Sequence, residues 1–340
     1  FDWYRRNTTD MYTVGPTLPE VLGTTQPKGN YANLKTKGWE LILSWRDNFK
    51  LAGSDFHYGV KFMLWDSQSW ITKYNNATGK LSDYYEGYRI GDIWGYNIEG
   101  LFTSYDEIAN HADQDYIKIS DSKIWQPGDL KFADLNGDGK IDKGAQTLSD
   151  HGDLVIVGNE EERYHYGFNL NVGWKGIGIS AFFQGVGKRD WYPGQETGFF
   201  WGKYNRPYGY SLKMHENRWT EENPNPNAYW PRLGGYSSEN GGRPMGTPNN
   251  RYMQDASYLR LKALTVDYSL PQAWVSKLGL TGLKIYFTGE NLFTFSNICE
   301  NFDPEVIKGG DVDLKDRKGE EQGYSYPMLK TYTVGLNVSF

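Results

Sequence analysis

Along residues 163–174, RYHYGFNLNVGW, apolar and polar side chains alternate without interruption. Tyr164, Tyr166, Phe168, Leu170, Val172 and Trp174 share one parity; Arg163, His165, Gly167, Asn169, Asn171 and Gly173 share the other. A period of two puts each set on its own face of an extended strand. The run has the length of a membrane-crossing strand, roughly 9–11 residues, and aromatic side chains stand at both ends, as an interface girdle requires.

The same alternation predicts seven further strands. In GWELILSWR (38–46), Trp39, Leu41, Leu43 and Trp45 align; in DFHYGVKFMLW (55–65), Phe56, Tyr58, Val60, Phe62 and Leu64 do. GIGISAFFQG (176–185) follows a Lys175-Gly176 turn and aligns Ile177, Ile179, Ala181 and Phe183. LTVDYSL (264–270), LKIYFTG (283–289) and YTVGLNVSF (332–340) repeat the pattern, and a weaker strand covers Trp3 to Tyr12. A soluble β-sandwich carries equal alternation. The connections separate the two readings, because they alternate long and short. The gaps from Trp65 to about residue 161, from about 189 to 255 and from about 296 to 327 are long, whereas those after Arg46, Trp174 and Leu270 are short. Outer-membrane barrels have short turns on one side and long loops on the other, while sandwiches space their turns evenly. The expected fold is therefore all-β, an antiparallel transmembrane barrel segment of about eight strands with long extracellular loops.

Composition agrees. Aromatics make up 16% of the 340 residues, yet the mean hydropathy is −0.69, which is what strands with one polar face average to. No apolar run reaches the 18 residues of a membrane helix. A net charge of −6 argues against a nucleic-acid partner, and a single cysteine, Cys299, excludes a disulfide framework or a Cys-rich metal site. Phe1 opens the chain with no charged segment and apolar core behind it, so no signal peptide is expected, and the chain reads as a mature product or, preferably, a fragment.

Several stretches, in this order, resemble the C-terminal part of a SusC/RagA-type TonB-dependent outer-membrane transporter: DWYRRNT (2–8), TKGWELILSWRDNF (36–49), YYEGYRIGDIWGYNIEGLF (84–102), QPGDLKFADLNGDGKID (126–142), VIVGN (155–159), YHYGFNLNVGWKGIGISAFFQGV (164–186), ENRWTEENPN (216–225), DASYLRLKALTVDYSLP (255–271), LKIYFTGENLFTFS (283–296) and the terminal YTVGLNVSF. The resemblance implies a 22-stranded barrel behind an N-terminal plug and a TonB box. Neither is in residues 1–340, so the chain would be the last third of such a protein. It further implies import of glycans (peptides in some members), a SusD-like surface lipoprotein as a lid, energy from the TonB complex, and contacts with outer-membrane lipid and the rest of the transporter.

Residues 189–255 hold Trp191, Tyr192, Phe199, Phe200, Trp201, Tyr204, Tyr208, Tyr210, Trp219, Tyr229 and Trp230 among many Gly, Pro and Asn. These rings either pack on each other in a compact loop or contact a partner or sugars. Arg163, His165, Asn169, Asn171 and Asp267 are expected to face a watery lumen. No HExxH, GxSxG, P-loop or GxGxxG occurs. An extracellular glycan hydrolase is the enzyme alternative, but no spacing singles out a carboxylate pair. A passive porin and a siderophore receptor complete the alternatives.

Two further expectations concern particular residues. In DLNGDGKID (134–142), Asp134, Asn136, Asp138, the Lys140 carbonyl and Asp142 occupy alternating positions that match an EF-hand loop at 1, 3, 5, 7 and 9, with Gly139 at the turn. Position 12 is Ala145, so the bidentate Glu is lacking. The expectation is a shortened calcium loop, against an Asx-rich turn held by its own side chains. At the end of the chain, Tyr332, Val334, Leu336, Val338 and Phe340 face one way. They are expected to form a barrel-assembly signal, with Phe340 the true C-terminus.

Overall fold

The computed structural model describes residues 1–15, 18–117, 124–194, 197–205, 209–233, 245–307 and 325–340. Eight strands form one antiparallel sheet in strict chain order: β1 (Asp2–Val14), β2 (Lys28–Leu51), β3 (Ser54–Lys73), β4 (Arg163–Trp174), β5 (Ile177–Lys188), β6 (Tyr258–Ser269), β7 (Gly282–Ser296) and β8 (Thr331–Ser339). All eight predicted strands are present. Each pairs with its chain neighbours, so the sheet is a meander, and β1 and β8 are its two edges.

The register aligns the faces across strands. Val172, Ile179, Val266, Phe287 and Val334 are paired in succession from β4 to β8. One residue along, Asn171, Ser180, Thr265, Thr288 and Thr333 make a parallel row on the opposite face. Since one step of slippage would exchange the faces, this continuity fixes the register.

The short connections all lie at one end. Ala52-Gly53 and Lys175-Gly176 each place two successive residues at positive φ, 48° and 75° in the first and 49° and 84° in the second. That is the backbone of a two-residue hairpin turn whose twist matches the strands. The third short connection holds a helical turn, Gln272–Val275.

Several strands outrun their sequence signal. β2 has 24 residues and β3 has 20, against the nine and eleven read from alternation. At about 3.3 Å per residue β2 reaches roughly 80 Å. The extra length is polar on both faces, as in Lys28, Asn30, Asn33 and Lys37, so no apolar period marks it.

The hydrophobic core lies outside the sheet. Tyr96, Ile98, Phe132, Ile141, Trp191, Trp201, Tyr204, Trp230, Tyr252, Phe302 and Ile307 belong to one buried cluster, drawn wholly from the connections after β3, β5 and β7. Short ladders brace this body, among them Asp92–Gly95 with Val155–Asn159 and Ile98–Leu101 with Leu130–Phe132. By contrast, Leu43, Trp45, Val334 and Leu336 on the sheet are exposed, at 57, 63, 74 and 65% of their full surface. The sheet therefore turns an apolar band outward, and its loops fold on themselves.

Candidate functional site

Three features run from the sheet into the loop body: a polar sheet face, a charged latch that ties segment 298–307 to the sheet, and an aromatic box within the loops. The polar face is mostly neutral. Thr265 and Thr288 share a hydrogen bond of 2.9 Å across β6 and β7, and Lys284 pairs with Asp267 at 3.1 Å. Asn169 and Asn171 stand on this face by their register with Lys61 and Gly59. His165 stacks on Trp65 of β3 with ring centroids 5.2 Å apart. Such a surface offers hydroxyl and amide partners for an uncharged, hydrogen-bonding solute.

Arg163 departs from the expected lumen position. Tyr164 takes φ 56°, and this left-handed residue breaks the alternation. The Arg163 guanidinium grips Asp66 with its Nε at 2.6 Å from Oδ1. Asp66 alternates onto the side of Leu64, opposite to Trp65 and His165. The pair is largely desolvated, with 15% and 6% of the two side chains exposed.

The latch was not foreseen from sequence. Arg260 of β6 is 2% exposed. Its two terminal nitrogens reach Asp303 at 2.6 Å and Glu305 at 2.5 Å, and its Nε donates to Thr294 Oγ1 at 2.8 Å. Lys262 joins Glu305 at 2.8 Å. Nearby, Arg189 pairs with Glu162 at 3.0 Å and donates to the carbonyls of Pro304 and Ile307. Segment 298–307 is thereby fastened to the sheet's polar side, with Phe302 packed on Trp191 at 4.9 Å. An arginine at a polar strand position 43 residues from its carboxylate is silent in sequence.

The aromatic box surrounds Trp230, which is fully buried. Phe200, Tyr204, His215, Tyr229 and Tyr252 lie around it with centroids at 5.2, 5.0, 4.6, 5.3 and 5.2 Å. Its indole Nε1 donates to the Met214 carbonyl at 2.9 Å. The packing alternative for these rings is thus the one that holds for Trp191, Tyr192, Phe200, Trp201, Tyr204, Trp219 and Trp230, all buried. Tyr229 is half-buried, Phe199 and Tyr210 are exposed, and Tyr208 lies outside the described residues. Burial pushes the Tyr252 hydroxyl well above its ordinary range and lowers His215 below its own. His215 Nδ1 accepts from the Leu212 amide at 3.1 Å, so Nε2 is the nitrogen that donates to the Phe200 carbonyl, at 2.8 Å. Burial likewise raises the Cys299 thiol, which contacts Met214 sulfur. Such a thiol is a packing group, not an activated nucleophile.

Within 134–142 the acidic groups turn to the loop's own amides. Asp134 accepts from Gly137 and Gly139 at 2.7 and 2.9 Å, Asn136 from Asp138 at 3.0 Å, Asp138 from Lys140 at 2.9 Å, and Asp142 from Gly144 at 2.7 Å. Gly137 and Gly139 take φ 75° and 81°, the left-handed backbone that makes glycine necessary there. Asp153, buried and unread in sequence, accepts from the Leu135 and Asp142 amides and closes the loop. Among the described residues no group of three or more His, Cys, Asp or Glu side chains gathers as a metal centre.

On β8, Tyr332, Val334, Leu336 and Val338 share the outward side, with Tyr332 stacked on Phe287 at 6.2 Å. Phe340 is 90% exposed, and its carbonyl accepts from Thr281 Oγ1 at 3.1 Å.

No protein-family model matches the chain. Two receptors of Formosa agariphila align with all of it: TonB-dependent receptor P3, 26% identical over 355 residues, and TonB-dependent receptor P26, 28% identical over 351 residues. Its homologues are TonB-dependent receptors. The chain spans about a third of their length, 32% in each case. Among solved structures, the RagAB peptide transporter superposes on 99% of the chain and 33% of its own, at TM-score 0.67 and 22% identity. A closed-closed state of the RagAB peptide importer gives TM-score 0.65 at 20% identity. This likeness supports the all-β antiparallel fold. The relatives are receptors and transporters, not enzymes.

Proposed function

We propose that this chain supplies wall strands and an extracellular loop body to a TonB-dependent outer-membrane transporter that imports glycan. One observation carries the reading: the row Val172–Ile179–Val266–Phe287–Val334 faces outward across five strands while Asn171–Ser180–Thr265–Thr288–Thr333 faces the other way. A wall between lipid and water has this division. Both sheet edges are open, and an unpaired backbone group in hydrocarbon costs several kcal/mol. The closing strands, the plug and the TonB box then come from the rest of the transporter, and a SusD-like lipoprotein covers the loop side. Neutral Asn, Ser and Thr along the inner face suit an oligosaccharide. The second reading, peptide uptake, is favoured by the likeness to RagAB, a peptide transporter.

A strain lacking the full transporter gene should fail to take up labelled oligosaccharide and recover with the gene restored. Loss of oligopeptide uptake alone would select the second reading, and unchanged uptake of both would refute import.

Two narrower proposals accompany this one. Asp134, Asn136, Asp138, the Lys140 carbonyl and Asp142 take one Ca²⁺, supported by donor spacing alone; as folded, the side-chain oxygens of Asp134, Asn136, Asp138 and Asp142 accept from amides of residues 137–144. Equal calcium content in wild type and an Asp134→Ala, Asp138→Ala double variant would sink it. Tyr332, Val334, Leu336, Val338 and Phe340 act as the assembly signal, supported by their shared outward side. Removal of Phe340 should lower outer-membrane yield, and an unchanged yield would dismiss the signal.

A further inference from the structure

β1 and β2 carry a vertical order of side chains on their outward face. Leu41, Leu43 and Trp45 lie in the apolar band, and Trp39 stands opposite Trp3 above them. From Phe49 to Trp39 is about 33 Å of strand, close to the height of an apolar band of roughly 25 Å once the strand tilts. Trp3 and Trp39 thus occupy the level of an aromatic girdle on the side of the long loops. Directly beyond them, Arg5 stands opposite Lys37, and one step further Asn7 stands opposite Lys35.

Like charges facing each other across a ladder repel. Among the described residues neither Arg5 nor Lys37 has an ion pair. Arg5 Nε donates to Asn7 Oδ1 at 3.3 Å, and Lys37 faces Gln68 on β3. Asp66, the acidic residue opposite Trp39, is already held by Arg163. Lys35 lies over the Trp70 ring at 5.7 Å, which sets its ammonium beside the same ridge. Arg5 and Lys37 are exposed, and the Trp3–Trp39 pair lies directly below them.

We propose that Arg5 and Lys37, with Lys35 beside them, bind the phosphate headgroup of a lipid in the leaflet that surrounds the long-loop end. The inference rests on the membrane reading above. A phosphate at this level meets two or three cationic donors while its acyl chains run down past Trp3, Trp39 and Leu41. The geometry favours a lipid over a free anion, because the cations border the apolar band on the outward face. Bound phosphate also relieves the Arg5–Lys37 repulsion.

The test uses the full-length transporter, extracted from outer membranes and examined by native mass spectrometry with lipid A or dephosphorylated lipid A. Wild type, Arg5→Lys, and Arg6→Gln on the opposite face should retain the phosphorylated lipid. The Arg5→Gln, Lys37→Gln double variant should retain about tenfold less. Dephosphorylated lipid should bind all four equally weakly, and excess inorganic phosphate should not occupy the site alone. Equal retention by the double variant, indifference to the phosphates, or a site filled by inorganic phosphate alone would each overturn the proposal. A heat-dependent gel shift verifies that each variant is folded. Wild-type protein absent from the outer membrane would instead overturn the transport reading.

Discussion

Tyr286 of β7 lies across Gly335 of β8, its direct partner in the ladder, so closely that a Cβ on Gly335 would run into the phenol ring. Tyr4 covers Gly38 and Tyr166 covers Gly185 in the same way, each pair directly opposed on neighbouring strands. A ring laid over a glycine fills the gap that the missing side chain leaves on the pleated surface.

Gly335→Val should therefore destabilise the sheet, by about 1 kcal/mol, the low end of overpacking costs, because Tyr286 can swing aside. Thermal unfolding in detergent reads this out. Gly100→Ala, where a Cβ would meet nothing within 4 Å, is the comparison. Identical midpoints for the two variants would dismiss the ring-over-glycine account.

Arg260→Met should free segment 298–307. It leaves the largely desolvated Asp303 carboxylate without its cation and Glu305 with Lys262 alone, a change that costs about 3 kcal/mol, the low end for breaking a buried pair. The expected result is faster amide exchange and protease cutting at 298–307, with the strands unaffected. Arg260→Lys should rescue partly, since an ammonium cannot fork to two carboxylates. Protection equal to wild type in Arg260→Met would show that hydrophobic packing of Phe302 alone holds the segment.

His215 makes the loop body acid-sensitive. Burial lowers its folded pKa below the ordinary 6.5, so folding favours the neutral ring. The stability this contributes is present in full above pH 6.5 and is lost as pH falls through the lowered folded value. Tryptophan fluorescence should report a lower melting temperature at pH 5 than at pH 7.5, a difference that His215→Gln should reduce. An equal acid response in both proteins would place the titrating group elsewhere.

Phe168 and Asn169 are neighbours with opposite fates in a membrane. Phe168 pairs with Phe62 and Phe183 on the outward side, and Asn169 pairs with Lys61 on the other. Phe168→Arg should cost roughly 2–4 kcal/mol at mid-depth and Asn169→Arg much less. Outer-membrane abundance and the heat-dependent gel shift of the two variants measure this. Equal abundance would contradict a lipid-facing Phe168.

Alternation alone located the eight sheet strands and the side on which Val172 and Asn171 fall, because a period of two is a local property that survives without tertiary context. The alternating connection lengths likewise placed the short turns together at one end. Strand limits were less legible. Lys28–Lys37 is polar on both faces, and its strand is held by pairing with Arg5–Val14 and Gln68–Lys73, which sequence does not display. The departure of Arg163 came from one left-handed residue, Tyr164, whose φ no periodicity records.

Sequence by itself thus determined an all-β chain with one apolar and one polar face per strand, loops rich in aromatic residues, and a tight glycine-containing turn at 134–142. Tertiary structure decided what those residues meet. The buried core belongs to three connections far apart in sequence, where Trp230 collects Phe200, His215 and Tyr252. Arg260 finds Asp303 and Glu305 across a long excursion of chain, and Arg5 comes to face Lys37 through register. Local alternation follows from covalent geometry, whereas these partners are chosen by how separate segments close on one another.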